Sequence, residues 1–533
     1  MIESNILLVL LLFFFMAMLY VLSKRFQISY PIFLVIGGLM ISLIPGLPEF
    51  SINPDVVFLL FLPPLLFEAA WYTSWTIFWK NRRSIMIMGF GLVFVTSLAV
   101  AFLSIQLIPG FTLALGFLLG GIISPPDAVA ATSVLEDINI PKKGISLLEG
   151  ESLVNDAASL TVFRMALAVI LTGTFAWQDA VLGFFTLAFM GVVVGLIIAH
   201  ILYLILRYIA KSSSITTPIT LIAPYIMYIV AEHFEWSGVL AVVAGGLFLS
   251  FRSKDYLDYR TRIQTREVWD TVGFLLNGFV FILIGLELPI IIAGIESVSM
   301  DWAIKVALII TAAIIILRIA FIYVAFYFPR IIFAKIKKRE GNPGWKLPLI
   351  LGWAGMRGVV SLASALAIPL VLANGQAFPH RNLILFITFV VILITLVLQG
   401  LTLPTLIKAV KLEGNSEELP EDVQYEAIRY RLVKEELELI KNKYPLELEQ
   451  SNTVKAINLQ LKRRLESSAT TLSSEGKIKM ANEKELYKRI MQDLIDVRRK
   501  VVYELMDERA YDEEVLRALE HNLDLEESRL NRS

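Results

Sequence analysis

The chain is 533 residues long with a formal net charge of zero; 56% of it is hydrophobic, only 18% is charged, and it contains no cysteine. Soluble domains carry roughly 25% charged residues, so this composition describes a polytopic membrane protein and excludes an ordinary soluble one. The lack of cysteine excludes disulfides, thiol chemistry and cysteine-based metal sites.

Apolar runs of the length a bilayer needs, about 17–25 residues, predict about thirteen helices. They fall at roughly 5–23, 30–46, 54–72, 84–108, 112–136, 145–173, 179–209, 216–233, 236–251, 267–295, 301–334, 346–373 and 381–410. The first run, Ile6–Leu22, has no basic flank before it and no small-residue cleavage site after it, so it reads as a retained helix and not a signal peptide. The third contains Phe61-Leu62-Pro63-Pro64-Leu65-Leu66-Phe67-Glu68, a proline-bent run ending on a carboxyl. Glu68 either reaches for headgroups at the membrane end or serves as a gate or extra ion ligand.

In the fifth run Pro125-Pro126 removes two backbone donors in mid-membrane, immediately before Asp127. This predicts a broken helix whose second half starts at Asp127, with that aspartate as an N-cap. In the twelfth run Gly352, Gly355 and Gly358 surround Arg357, which predicts a second break. Interrupted helices at bilayer depth are tolerated where they line a cavity. The fifth and twelfth helices are offset by an odd number, so they run in opposite directions, as in an inverted repeat.

The sixth run opens with Glu149-Gly150-Glu151-Ser152-Leu153-Val154-Asn155-Asp156. At 100° per residue Glu151, Ser152, Asn155, Asp156 and Ser159 fall within about 140° of arc, so one face is polar and the rest is apolar. Glu149 suits a helix start; Asp156 lies about two turns in. Charges at that depth face a pathway, a partner or an ion. A carboxylate in a dry site stays near neutral by holding either a proton or a cation, and a site offered that choice exchanges them. Asp156, Ser152, Asp127 and freed carbonyls near Ser124 supply the oxygens that a hard cation such as Na⁺ takes. Arg357 needs a partner, because an unpaired buried charge is very costly; Glu151 is the expected one. Arg318 in the eleventh run is expected beside an acid or a helix C-terminus, and Arg164 near the outer surface.

Alternate loops carry Lys24-Arg25, Lys80/Arg82/Arg83, Lys142-Lys143, Arg207/Lys211, Arg252–Arg266 and Arg330–Lys346, while the others are almost free of Lys and Arg apart from Arg381. The positive-inside rule then puts the N-terminus outside and the chain beyond Lys411 in the cytoplasm. Residues 1–410 form the expected membrane domain. Residues 411–533, rich in Glu, Lys and Arg, form an expected helical tail with segments near 422–442, 453–467, 480–509 and 511–529. His200, His233, His380 and His521 are scattered. No phosphate loop, hydrolytic Ser/His/Asp set or nucleic-acid-binding pattern appears, so neither ATP driving nor enzymatic catalysis is supported.

The segments Gly120–Asp137, Glu149–Asp156 and Gly352–Ser361 resemble the NhaP/NHE-type sodium/proton exchangers of the monovalent cation:proton antiporter superfamily. The resemblance covers about residues 1–410. It implies an all-α fold of about thirteen transmembrane helices with inverted repeats and two crossing broken helices. It implies a core domain that moves against a dimerisation domain, a homodimer, and alternating access. Asp156 resembles the family's proton-exchanging, cation-binding aspartate and Asn155 the asparagine of its Asn-Asp pair. Ser152 and Asp127 resemble further ion-site positions, Glu68 an acidic residue on the ion route, and Glu151 with Arg357 a structural ion pair. Where the family commonly has Asp-Pro, this chain has Pro126-Asp127-Ala128; anchoring on Val134-Leu135-Glu136 keeps Asp127 at the aspartate position. Relatives with two adjacent aspartates are electrogenic, so Asn155 implies electroneutral exchange of one cation for one proton. The expected activity is Na⁺/H⁺ exchange across a bacterial inner membrane in pH homeostasis, without a cofactor, with K⁺/H⁺ exchange by the same mechanism as the alternative. A cation channel is disfavoured because no selectivity-filter motif is present.

Overall fold

The computed structural model describes residues 2–26, 29–43, 54–135, 142–173, 177–210, 212–295, 299–333, 344–372, 375–410, 421–471, 476–508 and 513–532. The chain divides into two compact units, Met1–Gly414 and Asn415–Ser533.

The first unit begins with α1 (Ile2–Phe26), α2 (Tyr30–Ser42) and α3 (Pro54–Tyr72), the last with Pro63 and Pro64 inside it. Next come α4 (Trp75–Met86) and α5 (Leu92–Leu107), joined without interruption by a π-helical turn at Ile87–Gly91. This run therefore starts nine residues before the expected 84, because Trp75–Arg83 is amphipathic and an apolar window passes over it. The fifth span is broken into α6 (Leu113–Ile123) and α7 (Ala128–Leu135). The long helices α8 (Lys142–Thr172), α9 (Trp177–Tyr208), α10 (Ser213–His233), α11 (Gly238–Arg252), α12 (Tyr259–Ala293) and α13 (Met300–Ile332) follow. The second broken span is α14 (Lys346–Trp353) with α15 (Val359–Leu366), and the unit ends with α16 (Arg381–Ile394), a π-helical turn at Thr395–Gln399, and α17 (Gly400–Val410).

Helices thus underlie every expected span. Among the described residues eight runs are long and apolar enough to cross a membrane, and Tyr30–Ser42 and Leu59–Tyr72 are shorter apolar helices. Large apolar side chains such as Phe14, Phe102, Phe189, Ile197 and Ile316 stand exposed along their lengths. So much exposed apolar surface is stable only against lipid, and the unit is a multi-pass membrane domain.

Three apolar clusters position the site. One joins α3, α9, α10 and α11 through residues including Leu66, Phe67, Leu202, Met227 and Val242. A second joins α5, α6, α13 and α16 through Val100, Leu119, Ile310 and Ile387. The third includes Met16, Val280, Ile350 and Phe389. Helix α8 contributes to all three, with Leu160 in the first, Phe163 in the second and Val154 in the third. Close packing holds the second group: a Cβ on Gly116 or Gly120 of α6 would collide with the backbone of Ala101 or Ser97 on α5, the small-residue contact common between membrane helices.

The second unit contains α18 (Glu421–Lys443), α19 (Pro445–Gln450), α20 (Asn452–Thr471), α21 (Gly476–Glu508) and α22 (Glu513–Arg532). Val433, Leu437 and Ile440 of α18 pack on Leu461 of α20, and Val502 of α21 packs on Leu516 and Leu523 of α22. Lys411–Pro420, Glu136 and Asp137 lie outside the described residues.

Candidate functional site

The two broken spans cross. The backbone N–H of Asp127 donates to the Met356 carbonyl at 2.7 Å, tying one unwound stretch to the other. Asp127 then does more than begin its own half-helix. Its Oδ1 accepts from the N–H groups of Val129 at 2.8 Å and Ala130 at 3.3 Å, and its Oδ2 accepts from the N–H of Val359 at 3.3 Å. One carboxylate therefore caps the N-termini of both α7 and α15, where free N–H groups and the helix dipole favour negative charge. Gly358 makes room for it, since a Cβ there would overlap the Asp127 carboxylate.

Helix α8 lays its polar face across this crossing. Ser152 Oγ accepts from the Ala128 N–H at 3.3 Å and donates to the Pro126 carbonyl at 3.5 Å; Asn155 Nδ2 donates to the same carbonyl at 3.4 Å. Asn155 Oδ1 is buried and, among the described residues, meets no hydrogen-bond donor. Pro125 and Pro126 explain the geometry: neither has an N–H, so the chain unwinds there and leaves carbonyls for α8 to contact.

Asp156 is 8% exposed. Among the described residues no donor hydrogen-bonds its carboxylate, and its charged neighbours are the carboxylates of Asp127 and Glu151. It faces a cavity of about 730 Å³ whose wall includes Asp127, Ser152, Asp156, Glu68, Glu149 and Asp270. Tyr72 and Lys24 stand at the same wall; the Tyr72 hydroxyl donates to Asp270 at 2.7 Å. The cavity is strongly acidic, so it concentrates cations.

Two expectations change. Glu151 does not pair with Arg357. It forms a bidentate bridge with Arg318 of α13, at 2.6 and 3.1 Å, with both side chains 1% exposed. Arg318 also donates to the Leu351 carbonyl near the end of α14 at 3.2 Å, so it meets both kinds of partner expected for it. Arg357 instead donates from Nε to the Ile123 carbonyl at 2.7 Å and to the Gly355 carbonyl. Its charge sits on the C-terminal end of α6, where carbonyls carry negative partial charge. The unwound backbone supplies the partner that a search for acids cannot see. Ser124 is also displaced from its expected role: it is fully buried, its hydroxyl donates to Gly121 at 3.3 Å, and the cavity wall begins at Pro125.

The wall also includes residues the sequence did not single out, among them Asn277, Asp270 and Ser361. Ser361 ends the Gly352–Ser361 motif, and Asn277 is an amide inside the apolar run of α12; both carried a readable signal. Arg164 reaches α10, with Glu232 at 2.8 Å. Among the described residues no group of three or more His, Asp or Glu side chains is arranged to hold a resident metal.

A family model described as sodium/hydrogen exchanger, transmembrane, matches residues 9–409. An uncharacterized Na⁺/H⁺ exchanger of Mycobacterium tuberculosis (strain ATCC 25618 / H37Rv) is 29% identical over 521 residues, covering 96% of this chain and 93% of the relative. A sodium, potassium, lithium and rubidium/H⁺ antiporter of Bacillus subtilis (strain 168) is 33% identical over 389 residues, covering 71% of this chain and 58% of that one. The sodium proton antiporter MjNhaP1 of Methanocaldococcus jannaschii shares the fold with a TM-score of 0.62 at 19% identity, over 75% of this chain and 99% of that one.

Proposed function

We propose, from the premise that this chain belongs to the sodium/hydrogen exchanger family, that it exchanges a monovalent cation for a proton across the membrane by alternating access. The observation that carries this reading is Asp156, nearly buried, met by no hydrogen-bond donor among the described residues, and facing an acidic cavity. A bare carboxylate there is penalised by desolvation. A proton or a cation relieves the penalty equally well, so the site crosses the barrier in either loaded form and not empty. Coupling follows without ATP, and each ion gradient drives the other.

The cation ligands are Asp156 and Ser152, with Asp127 contributing the lone pairs left over from its two caps. Asn155 orients the Pro126 carbonyl and, being neutral, leaves one exchangeable carboxylate, because the Glu151 charge is spent on Arg318. One cation then moves for one proton, electroneutrally. Glu68 on α3 stands at the cavity wall as a station on the ion route. Na⁺ is the primary ion; exchange of K⁺ by the same cycle is the second reading, in keeping with the ions named for the Bacillus subtilis relative. The helices make thirteen crossings in a bacterial inner membrane, with the N-terminus outside and Asn415–Ser533 in the cytoplasm as a regulatory tail. The assembly is a homodimer.

Proteoliposomes containing a pH-sensitive dye test the assignment. Wild type dissipates an imposed pH gradient on addition of Na⁺, and Asp156→Asn abolishes the response while its melting profile stays at the wild-type value. Cation-dependent proton flux that survives in Asp156→Asn refutes the role given to this carboxylate. Clamping the membrane potential to zero leaves the wild-type rate unchanged if the exchange is electroneutral.

A further inference from the structure

Of the residues that line the cavity reaching Asp156, Lys24, Tyr72 and Asp270 are exposed, with Lys24 and Tyr72 at the ends of their helices, which marks its open end. The opposite end of the same seam is held by two polar contacts. Arg164 lies eight residues beyond Asp156 on α8, about 12 Å further along the axis at 1.5 Å per residue. Its guanidinium meets Glu232 at 2.8 Å and donates to the Tyr228 hydroxyl at 3.3 Å, both on α10. Glu232 is itself fixed, because its Oε1 accepts from the Gly238 N–H at the start of α11 at 2.9 Å. On the same end, Asn382 in the first turn of α16 donates to the Gly294 carbonyl just beyond α12 at 2.8 Å.

The first contact ties α8, which carries the ion ligands, to α10 and through Glu232 to α11. The second ties the start of α16 to the end of α12, whose Ile291 shares the cluster of α5, α6, α13 and α16. Helices α10 and α11 pack with α3 and α9 in a cluster that α8 joins through Leu160. The Arg164 and Glu232 side chains are 31% and 28% exposed. A partly exposed pair is held less firmly than the fully buried Glu151–Arg318 bridge, which lies within the group that carries the site. A second cavity, of about 430 Å³, adjoins the Asn382 contact and is lined by Gly294, Phe378, His380 and Arg381, which leaves that contact room to part.

We propose that Arg164–Glu232 and Asn382–Gly294 form an outer clamp, and that each exchange cycle opens both contacts to admit water from the far side. This inference rests on the alternating-access reading above. The residues act by position: Arg164, Glu232 and Asn382 are not on the wall of the ion cavity, so they set which side is open without touching the ion.

The chain has no cysteine, so a single introduced thiol reports accessibility cleanly. Leu160 is 2% exposed, one turn from Asp156 toward Arg164, and packs among the residues of α10 and α11. Leu160→Cys in right-side-out vesicles is treated with a membrane-impermeant maleimide, alone and combined with Arg164→Gln, Glu232→Gln or Asn382→Ala. The clamp predicts labelling from outside that is faster by about fivefold, the population shift that loss of a partly hydrated pair permits. Arg164→Gln with Glu232→Gln together give no more than the larger single effect, because they remove one interaction. Unchanged labelling in variants with wild-type melting profiles overturns the clamp; if Arg164→Gln does not fold, Asn382→Ala decides alone. Cation-dependent proton flux is measured in the same vesicles without the cysteine. Absence of flux in wild type sinks the exchanger reading, whereas flux with unchanged labelling sinks only the clamp.

Discussion

Glu151 and Arg318 face each other across 167 positions of chain, fully buried and bidentate. Such a pair costs a great deal to desolvate, and removing one member strands the other. Arg318→Ala or Glu151→Ala is therefore expected to lower stability by about 3–5 kcal/mol, read as a fall in the thermal unfolding midpoint in detergent. Arg357→Ala is expected to cost less than Arg318→Ala in the same assay. Its guanidinium is met by backbone carbonyls, which can turn to water or to one another once the charge is gone, and no carboxylate is stranded. Equal losses in the two variants would contradict this ordering. The comparison also marks where sequence reading stops at this scale. Three intramembrane arginines, Arg164, Arg318 and Arg357, compete for a few acids, and nothing in residue type or spacing ranks them. The place of Asp156 on a polar face was legible, because a carboxylate two turns into an apolar run rarely points to lipid.

At the scale of elements, Asp127 is the part that holds two half-helices together, and its two roles are separable. Asp127→Asn keeps one side-chain oxygen, enough for the Val129 and Ala130 N–H groups, but sets an NH2 against the Val359 N–H and loses the charge. Asp127→Ala loses both caps, each worth about 0.5–2 kcal/mol. Thermal melting should then place Asp127→Asn, which keeps one cap, between wild type and Asp127→Ala, which keeps neither. If Asp127 also lends an oxygen to the cation, both variants weaken cation affinity in flux assays; an unchanged affinity in Asp127→Asn would leave the residue a cap alone. Gly358→Ala tests the same joint from the other side, since the added methyl displaces the Asp127 carboxylate, and exchange is expected to fall sharply. The breaks themselves were readable where Pro125-Pro126 abuts Asp127 and where three glycines surround Arg357; proline alone is not enough, since α3 keeps Pro63 and Pro64 inside an unbroken helix. The hydrogen bond from Asp127 to Met356 was not, because a backbone-to-backbone crossing leaves no mark on side-chain identity.

At the scale of the molecule, the second unit carries an acid response of its own. In the tail, Arg499 of α21 bridges Asp524 and Glu527 of α22, both at 2.7 Å, and Arg498 meets Glu526 at 3.0 Å. Hydrogen bonds from Gln492 and then Arg499 hold the Glu527 carboxyl below its ordinary value of 4.5. A carboxyl depressed in the folded state favours folding above its unfolded value and ceases to do so as pH falls through the folded one. The Glu527 contribution is therefore complete at neutral pH and fades only below the ordinary glutamate range. Hydrogen exchange at Glu513–Arg532 in the full chain should be protected and constant from neutral pH to about pH 5, then lose protection on further acidification. Glu527→Gln should remove part of that acid step. Solvent-exposed pairs of this kind are also weakened by salt, so high salt should reduce protection at neutral pH. An acid step centred near neutral pH would instead make this hairpin a physiological pH sensor. Truncation after Gly414 carries the same reasoning to function. Every proposed ion ligand lies in Met1–Gly414, a unit with its own apolar clusters, so the truncated chain should retain cation-dependent proton flux in proteoliposomes. Abolished flux with a wild-type melting profile would mean that the tail is needed for each turnover.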